Sequence, residues 1–367
     1  MMKSFSLLKS ILVLFIGLCV FGACKRNDDE PIVQATGLSR LYVSYTNYQT
    51  NTILDPYRNL VIFSPADSAT FTNAFVYDSG VKGGGAVHFR AAASAILFQG
   101  SSNGAGAVND TTIQVMNISE FGIPGNVTNI SNGILNRVRG LYYDSRIGKN
   151  NLYVTNSETP TSVYMFNSPL NFRGYTKPRQ RISLGELRPW GLQFAGNDLL
   201  VSTNGDDKGV AFYKDITEKL DSVITDLAPT ALLKVANAEN ISGFDYSESL
   251  DVLLMVDWSG ADDGKIYIFE NAKALLSQAS GTITPTRVIS GADTGLRNPI
   301  DVKIDNREGA GFVYVSDQLA RKIFRFKLSD TGNATPSIAH EHRDRGVVLT
   351  PGSISLDARG SFNRAVL

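Results

Sequence analysis

The stretch Asp301-Val-Lys-Ile-Asp305, followed by the strand-like segments Phe312-Val-Tyr-Val-Ser-Asp317 and Lys322-Ile-Phe-Arg-Phe326, decides the fold because it recurs along the chain. Equivalents of its opening phrase begin at Ala86, Gly140, Gly191, Gly243 and Ser353. Successive copies are therefore 54, 51, 52, 58 and 52 residues apart. This period is typical of propellers and repeat arrays, whose units cannot bury their apolar faces alone. We therefore predict a protein of six repeats.

Each repeat contains three further apolar segments in the same order after its opening phrase. The second and third segments are rich in β-branched and aromatic residues, as in Leu152-Tyr-Val-Thr155 and Ile266-Tyr-Ile-Phe269. The fourth is weaker, as in Ala74-Phe-Val-Tyr77. Such residues favour strands, and four strands per unit form one blade of a β-propeller. A β-sandwich would also have short strands, but regular spacing over six units favours an all-β, six-bladed propeller.

The two ends of the chain complete one blade between them. The N-terminal unit has second to fourth segments, beginning at Leu41, Leu60 and Ala74, but no opening phrase. The last opening phrase, at Ser353, has no segments after it. We therefore expect the C-terminal strand to pair with the N-terminal strands and close the ring without a free edge. The propeller is predicted to span residues 38–367.

The quoted stretch resembles the repeat of NHL-type propellers. With the preceding Asn298-Pro299 it is similar to the family pattern Pro-x-Gly-Val-Ala-Val-Asp, then Val-Tyr-Val-Ala-Asp, then Arg-Ile-x-x-Phe. Asp301 stands where the family has Gly, and the other repeats match more loosely. The resemblance covers residues 38–367 and implies the fold alone, because such propellers host many unrelated functions.

Residues 1–23 have the pattern of a secretory leader. Lys3 and Lys9 form a positive start, and residues 11–22 carry no charge but are too few to span a bilayer as a helix. Phe21-Gly-Ala-Cys24 resembles a bacterial lipobox, which implies lipidation of Cys24. The other cysteine, Cys19, lies in the leader, so we expect no disulfide in the processed chain.

Residues 24–37 are polar and predict a flexible tether between the lipid and the propeller. The charged run that follows Cys24, Lys25 to Glu30, resembles the surface-export signal of Bacteroidetes lipoproteins. Together these features predict an outer-membrane lipoprotein of the cell envelope, exposed at the cell surface. The membrane is then a partner through the lipid anchor.

Composition restricts the function classes. The chain has 35 Lys and Arg against 35 Asp and Glu, without a long basic run, so nucleic acid is not an expected partner. Six repeats take up nearly the whole processed chain and leave no room for a separate catalytic domain. We expect a monomer.

The loops that enter each first strand should gather around one end of the propeller channel. The residues that suit ligand binding are Arg139, Arg188, Trp190, Asn240 and Asn298 in these loops, and His88 inside the opening phrase that begins at Ala86. Arginine offers a planar fork to anions, and Trp190 offers a stacking face for a glycan, peptide or protein ligand. The alternative is structural, because polar residues line any such channel and arginines there tie blades together.

A second stretch is similar to the metal-binding segments of the gluconolactonase and senescence-marker propellers. It comprises Asn240-Ile-Ser-Gly-Phe-Asp-Tyr-Ser247 and Leu254-Met-Val-Asp257. The resemblance implies that Asn240 and Asp257 hold a divalent cation, such as Ca²⁺, which polarises a lactone carbonyl. Asn240, however, is displaced relative to Gly243, and the N-terminal metal-binding Glu has no counterpart. The favoured function is thus a non-catalytic binding or scaffolding module, the alternative is a metal-dependent lactonase-like hydrolase, and no catalytic residue is assigned.

Overall fold

The computed structural model describes residues 37–48, 57–71, 74–91, 95–103, 109–157, 161–225, 227–260 and 262–360. The predicted leader, Cys24 and the tether up to residue 36 lie outside this range. Among the described residues, no helix is both long and apolar enough to cross a membrane.

The described strands form six blades, which we number in the order of their first strands around the ring, each written here from the channel outward. Blade 1 contains Pro351–Arg359, Leu38–Tyr45, Leu60–Phe63 and Ala74–Tyr77; blade 2 contains Gly84–Ala91, Ala95–Ser101, Thr112–Ile118 and Pro124–Ser131; blade 3 contains Val138–Asp144, Asn151–Asn156, Ser162–Asn167 and Gln180–Ser183.

The other three blades follow the same order. Blade 4 contains Arg188–Ala195, Asp198–Asn204, Gly209–Tyr213 and Ala231–Val235; blade 5 contains Phe244–Ser247, Val252–Trp258, Gly264–Glu270 and Arg287–Ser290; blade 6 contains Pro299–Ile304, Phe312–Asp317, Lys322–Lys327 and Ile338–His340. A short helix, Ala272–Leu276, follows the third strand of blade 5, and a hairpin of Arg343–Asp344 and Val347–Val348 precedes the last strand. The six-bladed prediction is confirmed.

Ring closure by the two chain ends is also confirmed. The C-terminal strand Pro351–Arg359 pairs antiparallel with Leu38–Tyr45, with Leu38 opposite Arg359 and Val43 opposite Ile354. This pairing joins parts of the chain that are about three hundred residues apart, so the backbone hydrogen bonds of both ends are satisfied within one blade.

In the described part of the chain, three blades carry a fifth strand that the sequence pattern does not reveal. Gly174–Tyr175, Val223–Ile224 and Gly281–Ile283 add in parallel to the outer edges of blades 2, 3 and 4. Each of these short strands follows the third strand of the next blade in the chain. It pairs with an outer edge whose backbone groups would otherwise be unpaired.

The hydrophobic core lies between the blades and not in the centre of the ring. Six clusters of buried apolar side chains occupy the six junctions between neighbouring blades in the described part of the chain. At the junction of blades 1 and 2, for example, the rings of Tyr42 and Phe89 stack with centroids 5.0 Å apart. Because alternate side chains of each innermost strand enter these clusters, the remaining ones face the channel.

Candidate functional site

The channel wall contains a ring of six residues, one from each blade, at the third position of the repeated opening phrase. These residues are His88, Tyr142, Gln193, Asp245, Lys303 and Ser355, and all of them line a cavity of about 300 Å³. Their neighbours at the second and fourth positions, such as Val87 and Phe89, are buried between blades. Strand periodicity therefore gives the channel a polar lining even though the repeat is largely apolar.

Part of this ring joins neighbouring blades by hydrogen bonds. The Gln193 side chain accepts from the Tyr246 backbone N–H at 2.9 Å and donates to the Tyr246 carbonyl at 2.8 Å. One blade further on, Asp245 accepts from the Ile304 N–H at 2.8 Å. Burial raises the pKa of Asp245 above its usual range, and the nearby Lys303 only partly offsets this effect. On this side of the channel the polar side chains satisfy one another and the backbone.

Asp301 and Lys303 form an ion pair on the same side. The Lys303 Nζ lies 2.9 Å from the Asp301 carboxylate, which also accepts from the Ile354 N–H at 3.0 Å and from the Ser353 hydroxyl. Burial disfavours the charged lysine, but the carboxylates of Asp301 and Asp245 outweigh it and raise the pKa of Lys303. The residue that replaces the family glycine thus joins blade 6 to blade 1.

His88 and Tyr142 form a different wall, on blades 2 and 3. Their ring centroids are 5.2 Å apart, and the buried His88 Nε2 has no hydrogen-bond partner among the described residues. Burial, together with the positive charges of Arg90 and Lys303, lowers the pKa of His88 to about 3. His88 is therefore a neutral imidazole at pH 7.

Arg139 lies where the innermost strand of blade 3 enters the channel. Its guanidinium carbon is 4.5 Å from the centroid of the Trp190 ring, and its Nε is 3.4 Å from the Ser157 hydroxyl. Burial, followed by the charge of Arg137, lowers the pKa of Arg139. No carboxylate in the described part of the chain forms an ion pair with it. Arg139 is therefore a partly buried cation at the channel wall without a carboxylate partner among the described residues.

The structure brings together three of the six residues that the sequence suggested for ligand binding. His88, Arg139 and Trp190 line the channel, whereas Arg188, Asn240 and Asn298 are not part of its lining. Arg188 is exposed, and the Asn240 amide donates to the Trp258 carbonyl at 2.7 Å. The channel residues that the sequence did not single out include Tyr142, Gln193, Asp245, Lys303 and Arg90; comparison of third and fifth positions across the repeats would have found them.

Asp257 is occupied by structural hydrogen bonds. Its fully buried carboxylate accepts from the backbone N–H groups of Glu239 and Asn240, at 3.0 and 2.6 Å, and from the Tyr267 hydroxyl at 3.0 Å. Asp317 has the same place in blade 6, where it accepts from the backbone of Asn298 and of the residue before it. These carboxylates hold the loop that leads into the innermost strand.

The suggested metal pair, Asn240 and Asp257, thus lies beside the strand ends and not in the channel. In the described ranges, no cluster of three or more His, Cys, Asp or Glu side chains is arranged to hold a metal ion. The possibility of a bound Ca²⁺ stays a prediction from resemblance.

Fold and site together define an all-β, six-bladed propeller with a polar channel, in which hydrogen bonds and an ion pair join the blades on one side. No protein family model matches the sequence, and no curated protein matches it either.

Solved structures do resemble it. A functionally unknown protein from Desulfotomaculum acetoxidans has 10% identity and a TM-score of 0.51, covering 88% of this chain and 99% of that chain. The periplasmic gluconolactonase PpgL of Pseudomonas aeruginosa has 14% identity and a TM-score of 0.53, with the same coverage of 88% and 99%. The WD40 β-propeller domain of Doa1 has 12% identity and a TM-score of 0.42, covering 82% of this chain and 73% of that chain. The two scores above 0.5 support the fold, and at such low identity the fold is all they support.

Proposed function

We propose that this protein is a lipid-anchored envelope protein that binds an anionic group of a glycan, peptide or protein ligand in its propeller channel, without catalysis. The observation that carries the proposal is Arg139, a partly buried cation on the channel wall that lacks a carboxylate partner in the described part of the chain.

The preference of Arg139 for an anion follows from the free energy of removing its charge from water. Removing part of a charge from water is unfavourable unless the charge is paired, so a partly buried guanidinium without a carboxylate partner favours the binding of an anion. The Trp190 ring against its face holds the guanidinium plane by a cation–π contact, and the edge of the fork is then left for a carboxylate. Two parallel N–H···O bonds to that carboxylate would be short, charge-assisted and specific in direction.

The anchor rests on the lipobox resemblance around Cys24 and on the charged tether that follows it. Several acyl chains on one cysteine would hold the propeller stably at a membrane surface, which one chain alone does only marginally. Replacement Cys24→Ala is expected to move the protein from the membrane fraction to the soluble fraction and to abolish incorporation of labelled palmitate. Retention in the membrane would contradict the anchor.

The alternative function, a metal-dependent lactonase-like hydrolase, would depend on Asn240 and Asp257. The hydrogen bonds that Asp257 accepts favour the binding module over this alternative, because its buried carboxylate already serves two backbone N–H groups and the Tyr267 hydroxyl. Metal analysis of the purified protein, with lactone hydrolysis assayed before and after chelation, decides between them. Metal-dependent turnover would replace the binding proposal.

Binding itself is tested with octanoate and its neutral counterpart octanamide, by calorimetric or NMR titration of the purified protein. We expect octanoate to bind more tightly than octanamide, and Arg139→Gln to weaken octanoate by about tenfold or more, as for the loss of a hydrogen bond to a charged group. Arg188→Gln is the matched control, since Arg188 lies outside the channel lining, and it should leave the affinity unchanged. Equal binding of the acid and the amide would refute the proposal.

A further inference from the structure

The residue at the fifth position of the repeated phrase differs in charge between blades. Three blades end their innermost strand with Asp-x-Arg, and each aspartate pairs with its own arginine: Asp144 with Arg146 at 2.7 Å, Asp305 with Arg307 at 2.6 Å, and Asp357 with Arg359 at 2.7 Å. Blade 2 has Arg90 at this position, followed by Ala91-Ala-Ala-Ser94. A self-neutralised pair is thus replaced by a single cation.

Arg90 lines the channel, and its described polar contact is a hydrogen bond from Nε to the Ser145 hydroxyl at 3.0 Å. No carboxylate among the described residues forms an ion pair with it. A neutral hydroxyl holds one edge of the guanidinium but leaves its charge uncompensated. Arg90 therefore resembles Arg139 in its need for an anion.

The two arginines belong to adjacent innermost strands and lie at different depths. Arg139 immediately precedes the first position of the phrase in blade 3, and Arg90 is at the fifth position in blade 2. Five residues of strand separate the Cα atoms of the two arginines by about 16 Å along the channel axis. Because both side chains are long, their guanidinium groups can lie closer together than that. Between these levels lie His88, with its unpartnered Nε2, and Tyr142.

On the opposite wall Asp301 and Lys303 pair with each other and Asp245 accepts from the Ile304 N–H, and neither aspartate forms an ion pair with Arg90 or Arg139. Blades 2 and 3 therefore present two arginines that lack an ion-pair partner among the described residues, whereas the opposite wall holds one lysine and two aspartates, of which the buried Asp245 has a raised pKa. Since His88 stays neutral at pH 7, it offers a hydrogen bond without adding to the positive charge.

We propose that the channel seats an elongated dianion, with one acidic group on Arg139 at the mouth and a second, deeper in the channel, on Arg90 beside His88 and Tyr142. This inference rests on the proposed function, because it adds a second acid subsite to the same channel. It narrows the ligand to molecules or segments that carry two acidic groups separated by a spacer, such as an acidic oligosaccharide or a peptide end with an acidic side chain.

The test is a calorimetric titration of the purified wild-type protein with linear α,ω-dicarboxylates of four to ten carbons. A monocarboxylate of the same carbon number accompanies each one. We expect one length in the series to bind at least tenfold more tightly than its monocarboxylate, which is the gain from one additional charge-assisted contact. We expect Arg90→Gln to bring the affinity of that dicarboxylate down to that of the monocarboxylate.

Arg181→Gln is the matched control. Arg181 also donates from Nε to a serine hydroxyl, that of Ser162 at 3.1 Å, but it lies outside the channel lining. The dicarboxylate preference should survive in this variant. Arg90→Lys, which keeps the charge but loses the planar fork, should retain only part of the preference.

Two failures are distinguishable. If monocarboxylates bind but no dicarboxylate binds more tightly, the deeper subsite is refuted and the proposed function stands. If no carboxylate of either kind binds, the proposed function fails and this inference fails with it. Should Arg90→Gln not fold, the wild-type length series still tests for a second acid subsite, and the partial loss of preference in Arg90→Lys tests whether Arg90 forms it.

Discussion

Asp257 provides the sharpest distinction between a structural and a metal-binding role. Replacement by alanine removes the acceptor of two backbone N–H groups and leaves the Tyr267 hydroxyl with only the Asn237 carbonyl at 3.2 Å. A hydrogen bond to a charged group contributes about 1.5–3 kcal/mol. Water and the Asn237 carbonyl would replace part of the three lost hydrogen bonds. We therefore expect the free energy of unfolding to fall by about 3–5 kcal/mol, which is less than the full sum.

The amide variant refines this expectation. Asp257→Asn keeps one acceptor oxygen but turns an N–H₂ group toward donors, so we expect it to lose about 1–2 kcal/mol. Urea unfolding, followed by the fluorescence of Trp190 and Trp258, measures both variants, with and without a chelator. Asp206→Ala is the control, because Asp206 is exposed, and it should change stability by less than about 0.5 kcal/mol.

Two results would refute the reasoning. A loss below about 1 kcal/mol in Asp257→Ala would mean that the three hydrogen bonds do not hold the loop. A wild-type protein that loses stability on chelation, while the alanine variant does not respond, would mean that Asp257 acts as a metal ligand. The second result would also revive the lactonase-like alternative.

Two further predictions concern the channel and the contact between blades. Between pH 6.5 and about 3 the unfolded chain binds a proton at His88 that the folded chain excludes, so wild-type stability should fall as pH falls through this window. His88→Gln should remove about 1–2 kcal/mol of that loss at pH 5, measured by urea unfolding at pH 7 and pH 5, and an unchanged pH dependence would contradict it. Gly243→Ala would place a Cβ 2.5 Å from the Asp301 Cα, so we expect the free energy of unfolding, measured by thermal unfolding, to fall by about 3 kcal/mol. Gly125→Ala is the control and should be nearly neutral, because nothing lies within 4 Å of the added Cβ. Equal effects of the two substitutions would refute the close approach of the two blades.

The fold was predictable from the sequence because its determinants are local and repeated. β-Branched and aromatic residues indicate each strand, and the same order of segments recurs at a nearly constant spacing. Even the pairing of Ser353 and its neighbours with the strand at Leu41 follows from counting segments at the two ends. The fifth strands at the outer edges were not predictable, because two or three residues such as Gly174–Tyr175 carry no periodic signal and pair only where the fold brings them.

The site was predictable only in part. His88, Arg139 and Trp190 lie in the channel as the pattern of entering loops suggested, but Arg188, Asn240 and Asn298 do not. The reason is that sequence proximity to a strand start does not specify the direction of a side chain. Asn240 illustrates this, since its amide turns to the Trp258 carbonyl and its backbone to Asp257.

The sequence by itself thus determined the number of blades, their strand order and the closure of the ring, since these depend on hydrophobic patterning and on repeat spacing. Only the tertiary structure decided which polar residues find partners. Asp301 meets Lys303 and blade 1, whereas Arg90 and Arg139 meet no described carboxylate. The partners of Asp301 are of both kinds, since Lys303 lies two residues away on the same strand and the Ile354 N–H belongs to blade 1. Whether an arginine such as Arg139 meets a carboxylate depends on how the blades pack against one another. The innermost strands formed by the repeated phrase therefore line the channel. Because the six copies differ in sequence, Arg90 and Arg139 give the channel a positive side on blades 2 and 3.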